Sequence, residues 1–215
     1  MATLSSDFPC TEGVYDWRDP IAPATVNPRF MTVDPITHSP LSPVDPDDLS
    51  DALAAVTVET QKLDRRQRQI QAQIHLPYSL ESVWQVLTDY DALAEFIPNL
   101  AKSQRLEHPE AGIRIEQVGV QNALFLKFSA RVVLDMTEEF PHKIHFDMVE
   151  GDFKAFSGQW CLQPSEQLEG EGTELTYTVK VWPKRTMPVM AVEHRLRHDL
   201  PCNLLAIRQR LESLT

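Results

Sequence analysis

Hydrophobic and polar residues alternate strictly in "RQIQAQIHLP", with Ile70, Ala72, Ile74 and Leu76 on one side. That period of two predicts a strand with one buried face. The period then lengthens. In "SLESVWQVLTD", Val83, Trp84 and Leu87 fall at helical spacing behind Ser79, a good N-cap residue. A second short helix is expected in "DALAEF", with Asp91 as its N-cap and an end before Pro98. Alternation returns in "LAKSQRLEH" and "GIRIEQVGV", separated by the turn signal "PEAG". It is clearest in "LFLKFSARVVLDM", where Leu124, Leu126, Phe128, Ala130, Val132, Leu134 and Met136 share one face. Ile144, Phe146 and Met148 follow in the next strand, with Glu150 next in the same alternation at its end. Then come Phe156, Gly158, Trp160 and Leu162, and after them Leu175, Tyr177, Val179 and Val181. Short turns between these strands predict an antiparallel meander. At the end of the chain, Val189, Val192, Leu196, Leu200, Leu204, Ile207 and Leu211 recur in steps of three and four. This is an amphipathic helix of about seven turns, with a kink expected at Pro201.

One helix cannot cover both faces of so long a sheet. The expected fold is therefore α+β: a strongly curved antiparallel sheet of about six to seven strands wrapped around a long C-terminal helix, with two short helices after the first strand. Such a grip leaves space between sheet and helices. Residues 56–215 form this domain. Residues 1–55 read differently. Eight of the 16 prolines fall in the first 50 residues, and proline blocks both helix and central strand. Residues 1–60 carry two basic and ten acidic groups. We read this segment as a mostly irregular acidic leader.

Charge and cysteine content narrow the function. A net charge of −11 argues against direct nucleic-acid binding, which needs basic surface. Cys10, Cys161 and Cys202 are scattered, without metal or disulfide spacing. No apolar run is long enough to span a membrane, and "MATLSSDFPCTEG" lacks the features of a secretory signal. A cytoplasmic location is expected. Residues 183–215 are net +3 while the rest of the chain is −14. Lys184, Arg185, Arg195 and Arg197 thus suggest a peripheral contact with an anionic membrane or an acidic protein.

The order of elements resembles the START-like, or helix-grip (SRPBCC), superfamily. "LTDYDALAEFIPNL" is similar to the segment that its polyketide cyclase/dehydrase-type members carry after the first helix. "FSGQWCLQP" with "GTELTYTVKVWP" resembles their late hairpin, and "DLPCNLLAIRQRLE" resembles the end of the long helix in members from photosynthetic organisms. The resemblance spans roughly residues 65–213. Relatives include coenzyme Q-binding proteins, a ribosome-association protein and polyketide cyclases. It implies a fold more firmly than a function. It also implies that "DYDALAEFIP" is the corner at a cavity mouth, with Phe96, Ile97 and Pro98 as one lip and Asp89 capping backbone donors. The alternative is that Phe96 and Ile97 plug the core.

The inward positions are almost wholly apolar, with Gln117, Tyr177 and the strand-end Glu150 as polar exceptions. His194 and His198 are four apart on the long helix, a spacing that can hold metal, but both fall off the apolar stripe toward solvent. His142 and His145, three apart, should face opposite ways. No nucleophile–base pair stands out, so no catalytic residue, metal or cofactor is assigned. A carrier needs only an apolar wall. About ten buried carbons at about 0.8 kcal/mol each give roughly 8 kcal/mol gross, micromolar binding before association costs. The candidate ligand-binding residues are Phe96, Ile97, Gln117, Phe128, Phe146, Trp160, Tyr177, Val192, Leu196 and Leu200. The ligand expected is a prenylated quinone or another lipid. A polyketide cyclase or dehydratase, and a protein-interaction module with a filled cavity, are the competing readings.

Overall fold

The computed structural model describes residues 55–123, 126–167 and 172–215, without the side chains of 121–123 and 126–128. The leader and the Phe128 side chain lie outside the described residues. Eight strands are present where the sequence suggested six or seven: β1 (Thr57–Lys62), β2 (Arg68–Leu76), β3 (Leu100–Leu106), β4 (Ile113–Ala123), β5 (Leu126–Glu139), β6 (Lys143–Gly151), β7 (Ala155–Pro164) and β8 (Thr173–Trp182). They form one antiparallel sheet in the order β1-β2-β8-β7-β6-β5-β4-β3. The extra strand, β1, is an edge strand that is exposed along nearly all its length. Only one of its faces has anything to cover, and its "TVETQK" has no apolar alternation to announce it.

Two short helices, α1 (Leu80–Thr88) and α2 (Leu93–Phe96), join β2 to β3, and α3 (Val189–Leu214) closes the chain. Ser79 caps α1, its Oγ accepting from the Ser82 N–H at 3.2 Å. Asp91 does not cap α2. Ala92 occupies that position without a side-chain cap, because the Asp91 carboxylate instead accepts the Arg105 N–H at 2.7 Å, tying the corner to β3. Asp89 likewise makes no side-chain cap. It terminates α1, and its backbone carbonyl accepts from the Ala92 N–H at 3.1 Å.

Helix α3 runs from Val189 to Leu214 without a break at Pro201. Pro201 has no N–H to offer the carbonyl of Arg197 one turn earlier, but Arg197 is exposed, so water can serve that oxygen. The two halves of α3 differ. Leu200, Leu204, Ile207 and Leu211 are buried, whereas Val189, Val192 and Leu196 are only partly so. Helix α3 packs on β2 and α1. Among the described residues no helix is long and apolar enough to cross a membrane.

Strands β2 and β8 keep the expected register. Ile70 pairs with Val179, Ala72 with Tyr177 and Ile74 with Leu175. In β6 the alternation breaks. Leu134 pairs with Met148, but Val133 pairs with Glu150, so Val149 is an extra residue in a bulge. The bulge turns Glu150 away from the inner face. It is exposed on the outer face, where it accepts from Arg131 Nη1 at 2.5 Å. Glu116, on the same outer face, accepts from Lys102 and from Arg131. His145 pairs outward with Asp147 at 2.9 Å, and His142 lies in the turn before β6 rather than on the strand.

Candidate ligand cavity

Residues from every strand between β3 and β8 reach one cavity of about 190 Å³ beneath α3, so the sheet curls around it. The wall is built by alternation. Ile115 and Gln117 come from β4, Leu134 and Met136 from β5, Phe146 from β6, Phe156 and Trp160 from β7, and Tyr177 from β8. The β6–β8 side is aromatic. Trp160 and Tyr177, direct cross-strand partners, stack with ring centroids 3.6 Å apart and planes 3° from parallel. Phe146 lies 5.7 Å from Phe156 and 6.2 Å from Tyr177. Gly158, between Phe156 and Trp160, makes room for this packing. A Cβ there would sit 2.1 Å from the Thr178 carbonyl oxygen and 2.5 Å from Phe146 Cζ.

The corner between α1 and β3 adds Leu87, Leu93, Ile97, Pro98 and Asn99 to the lining. Asn99 adopts a left-handed φ of 61°, which asparagine tolerates, and its carbonyl accepts the Val120 N–H at 2.8 Å. Ile97 lines the cavity and Phe96 does not, and both pack against the core, Phe96 with the Arg210 guanidinium 5.5 Å from its ring centroid. Val192 also packs against the core without lining the cavity, which begins one turn further on at Leu196. Of the other candidates, Gln117, Phe146, Trp160, Tyr177, Leu196 and Leu200 line the cavity. Gln117 makes one long hydrogen bond, Nε2 donating to Ser103 Oγ at 3.4 Å.

The roof holds two polar residues that the sequence reading passed over, Asp199 and Asn203. They follow Leu196 and Leu200 by three positions each, and that spacing places them on the inward stripe. Asp199 Oδ2 accepts from Arg195 Nε at 2.5 Å, and its Oδ1 is 3.4 Å from His198 Nδ1. Burial raises the Asp199 carboxyl above the usual carboxylate range, against the pull of Arg195 and His198. Burial also raises the Tyr177 phenol, and the charge of Asp199 adds to it. The Tyr177 phenol is therefore not a ready base or nucleophile at neutral pH. The same burial, with Asp199, raises the Cys202 thiol, so it is not a thiolate nucleophile. Among the described residues the Tyr177 hydroxyl and the Asn203 amide have no hydrogen-bond partner. His194 and His198 are exposed, and no group of three potential metal ligands occurs among the described residues.

The family model for polyketide cyclase / dehydrase and lipid transport matches residues 76–208, more than half the chain. The chain belongs to this family. No curated protein matches its sequence. Among solved structures it is similar to a STAR-related lipid transfer protein from Xanthomonas axonopodis, with 16% identity and a TM-score of 0.57 over 74% of this chain and 94% of that one. The Zhui aromatase/cyclase of a Streptomyces species is similar at 16% identity and a TM-score of 0.56, over 68% and 94%. Human STARD10 is similar at 11% identity and 0.54, over 80% and 81%. Identities this low show a shared fold, and members of the family use it for both lipid transport and cyclisation by name. The START-like fold, with its sheet around a long C-terminal helix, is thus that of this chain.

Proposed function

We propose that this chain binds one hydrophobic small molecule in the cavity under α3 and exchanges it at a membrane surface. The observation that carries this reading is the cavity itself, with a mostly apolar wall drawn from six strands; in this reading Ile97 and Pro98 form its lip. A prenylated quinone or similar lipid fits this wall by its ring. A cavity of about 190 Å³ does not hold two isoprene units as well, so the tail leaves through the mouth. Apolar burial is non-directional and needs no catalytic group.

The exchange surface is the end of the molecule where the β8–α3 loop meets the β1–β2 turn. Arg66 Nη2 donates to the Lys184 and Met187 carbonyls at 2.7 and 2.8 Å, holding the two segments together. Lys184 and Arg185 are exposed in that loop, Lys184 Nζ donating to the Gly151 carbonyl at 3.0 Å, and Arg197 and Met190 are exposed on α3, Met190 at 69%. Arg195 does not belong with them. Its guanidinium is committed to Asp199. Cationic side chains around an exposed apolar one suit an anionic bilayer surface.

A second reading keeps the same cavity. Asp199 and Tyr177 share it with a raised carboxyl, which favours a cyclase or dehydratase in which Asp199 passes a proton to the substrate. Glu150, facing outward, has no part in that chemistry. Titrating the full chain with a short-chain prenylated quinone while following tryptophan fluorescence tests the first reading. Saturable quenching that is lost in Trp160→Phe is expected. No saturable signal for quinone or fatty acid overturns it. Turnover of a polyketide-like substrate by wild type, abolished in Asp199→Asn with binding retained, establishes the second.

A further inference from the structure

We propose that the cavity selects a ligand whose buried end is a single ring bearing a hydroxyl group, a phenol rather than a plain hydrocarbon or an amine. The inference rests on the binding reading above and goes further, to the chemistry of the ligand. Size comes first. A dry apolar cavity of about 150 Å³ accommodates benzene, and this one is about 190 Å³. It therefore takes one ring and a small substituent, not a fused polycycle. Shape agrees, since the β6–β8 wall is made of the Phe146, Phe156, Trp160 and Tyr177 rings.

Polarity decides the substituent. Besides Asn99 and Gln117, three polar residues line this small volume, Tyr177 from the sheet and Asp199 and Asn203 from α3. The Tyr177 and Asn203 groups lack partners among the described residues and are only partly buried, so both stay open to a ligand that enters the cavity. Asp199 is acceptor-only when ionised, and its Arg195 contact leaves lone pairs free. A ligand hydroxyl answers all three, donating to Asp199 and accepting from both Tyr177 and Asn203. A ligand ammonium is not called for, because Arg195 already neutralises Asp199. A ligand carbonyl accepts from Tyr177 and Asn203 but leaves an ionised Asp199 unanswered, so of a prenylated quinone it is the reduced, quinol form that meets this demand.

The test compares p-cresol with toluene by isothermal titration calorimetry on the full chain. The two differ by one hydroxyl. Toluene binding reports the cavity, and the p-cresol to toluene affinity ratio reports the polar cluster. Without partners the hydroxyl has to give up water for nothing, so the ratio then falls below one. The expected result is p-cresol binding about tenfold tighter than toluene, with the ratio dropping by about tenfold in Tyr177→Phe and in Asp199→Leu while toluene still binds both. Tyr177→Phe keeps the ring stack, so it reports the hydroxyl alone. If toluene binds but p-cresol is weaker, or if the ratio is unchanged in both variants, this inference fails and the cavity reading survives. If neither binds, both fail.

Discussion

At the scale of single residues, close packing and charge pairing make opposite demands on this molecule. Gly158 has no room for even a methyl group, with backbone oxygen on one side and Phe146 on the other. Gly158→Ala should destabilise the protein by about 1–3 kcal/mol or more, read from urea unfolding. An unchanged midpoint contradicts the packing described. Titration separates the acids. Burial raises Glu116, but hydrogen bonds from Lys102 and Arg131 outweigh it and leave the carboxyl lowered. Asp135 is lowered by its hydrogen bonds with Arg114. Groups with a depressed folded pKa stabilise above their unfolded value and lose that stabilisation as pH falls through the folded one. Asp199 has the opposite sign, since its native carboxyl holds its proton more tightly than in the unfolded chain. Its contribution declines as pH rises from the ordinary aspartate range of about 4 toward its raised value. The stability of wild type relative to Asp199→Asn should therefore fall as pH rises through this window. Urea midpoints for both proteins across the acid range check the sign.

At the scale of elements, α3 serves both core and cavity. Its C-terminal half carries core residues, with Leu204 fully buried, and the cavity roof runs along its middle from Leu196 to Ile207. Leu204→Ala should cost about 2–5 kcal/mol. Leu196→Ala, which only enlarges an existing space, should cost clearly less and shift ligand affinity instead. Equal losses in chemical denaturation count against this division. Most of the elements were legible because period two and period 3.6 separate cleanly here. The inward sets of β2, β6, β7 and β8 follow directly from alternation. What was not legible has specific causes. Strand β1 is an exposed edge without a buried face to mark it. Glu150 was placed inside by alternation and outside by the Val149 bulge, a register event that period alone does not report. Asp91 resembled a helix cap but serves a backbone N–H of the neighbouring strand. Asp199 and Asn203 were hidden by polarity, because charged and amide residues on a helix are read as its wet face. Their spacing of three from Leu196 and Leu200 was the available signal.

At the scale of the whole molecule, sheet and helix enclose a mostly apolar cavity whose polar lining residues include Asn99, Gln117, Tyr177, Asp199 and Asn203. The proposed ligand enters it ring first from a bilayer. The proposed exchange surface carries the exposed Lys184, Arg185 and Met190 in a chain of net charge −11. Reversing both charges, as in Lys184→Glu with Arg185→Glu, should reduce sedimentation with anionic vesicles several-fold and leave neutral vesicles unaffected. No difference between the two vesicle types sinks the proposed exchange surface. The central claim, that the cavity is occupied by one apolar molecule, is tested most directly by native mass spectrometry of the full chain purified from its own source and then exposed to a total lipid extract. The account predicts an adduct of one organic molecule per chain, extractable into solvent and absent from a variant whose cavity is filled by Leu134→Trp. A chain that stays bare after exposure to the extract, or an adduct that persists unchanged in the filled variant, contradicts it.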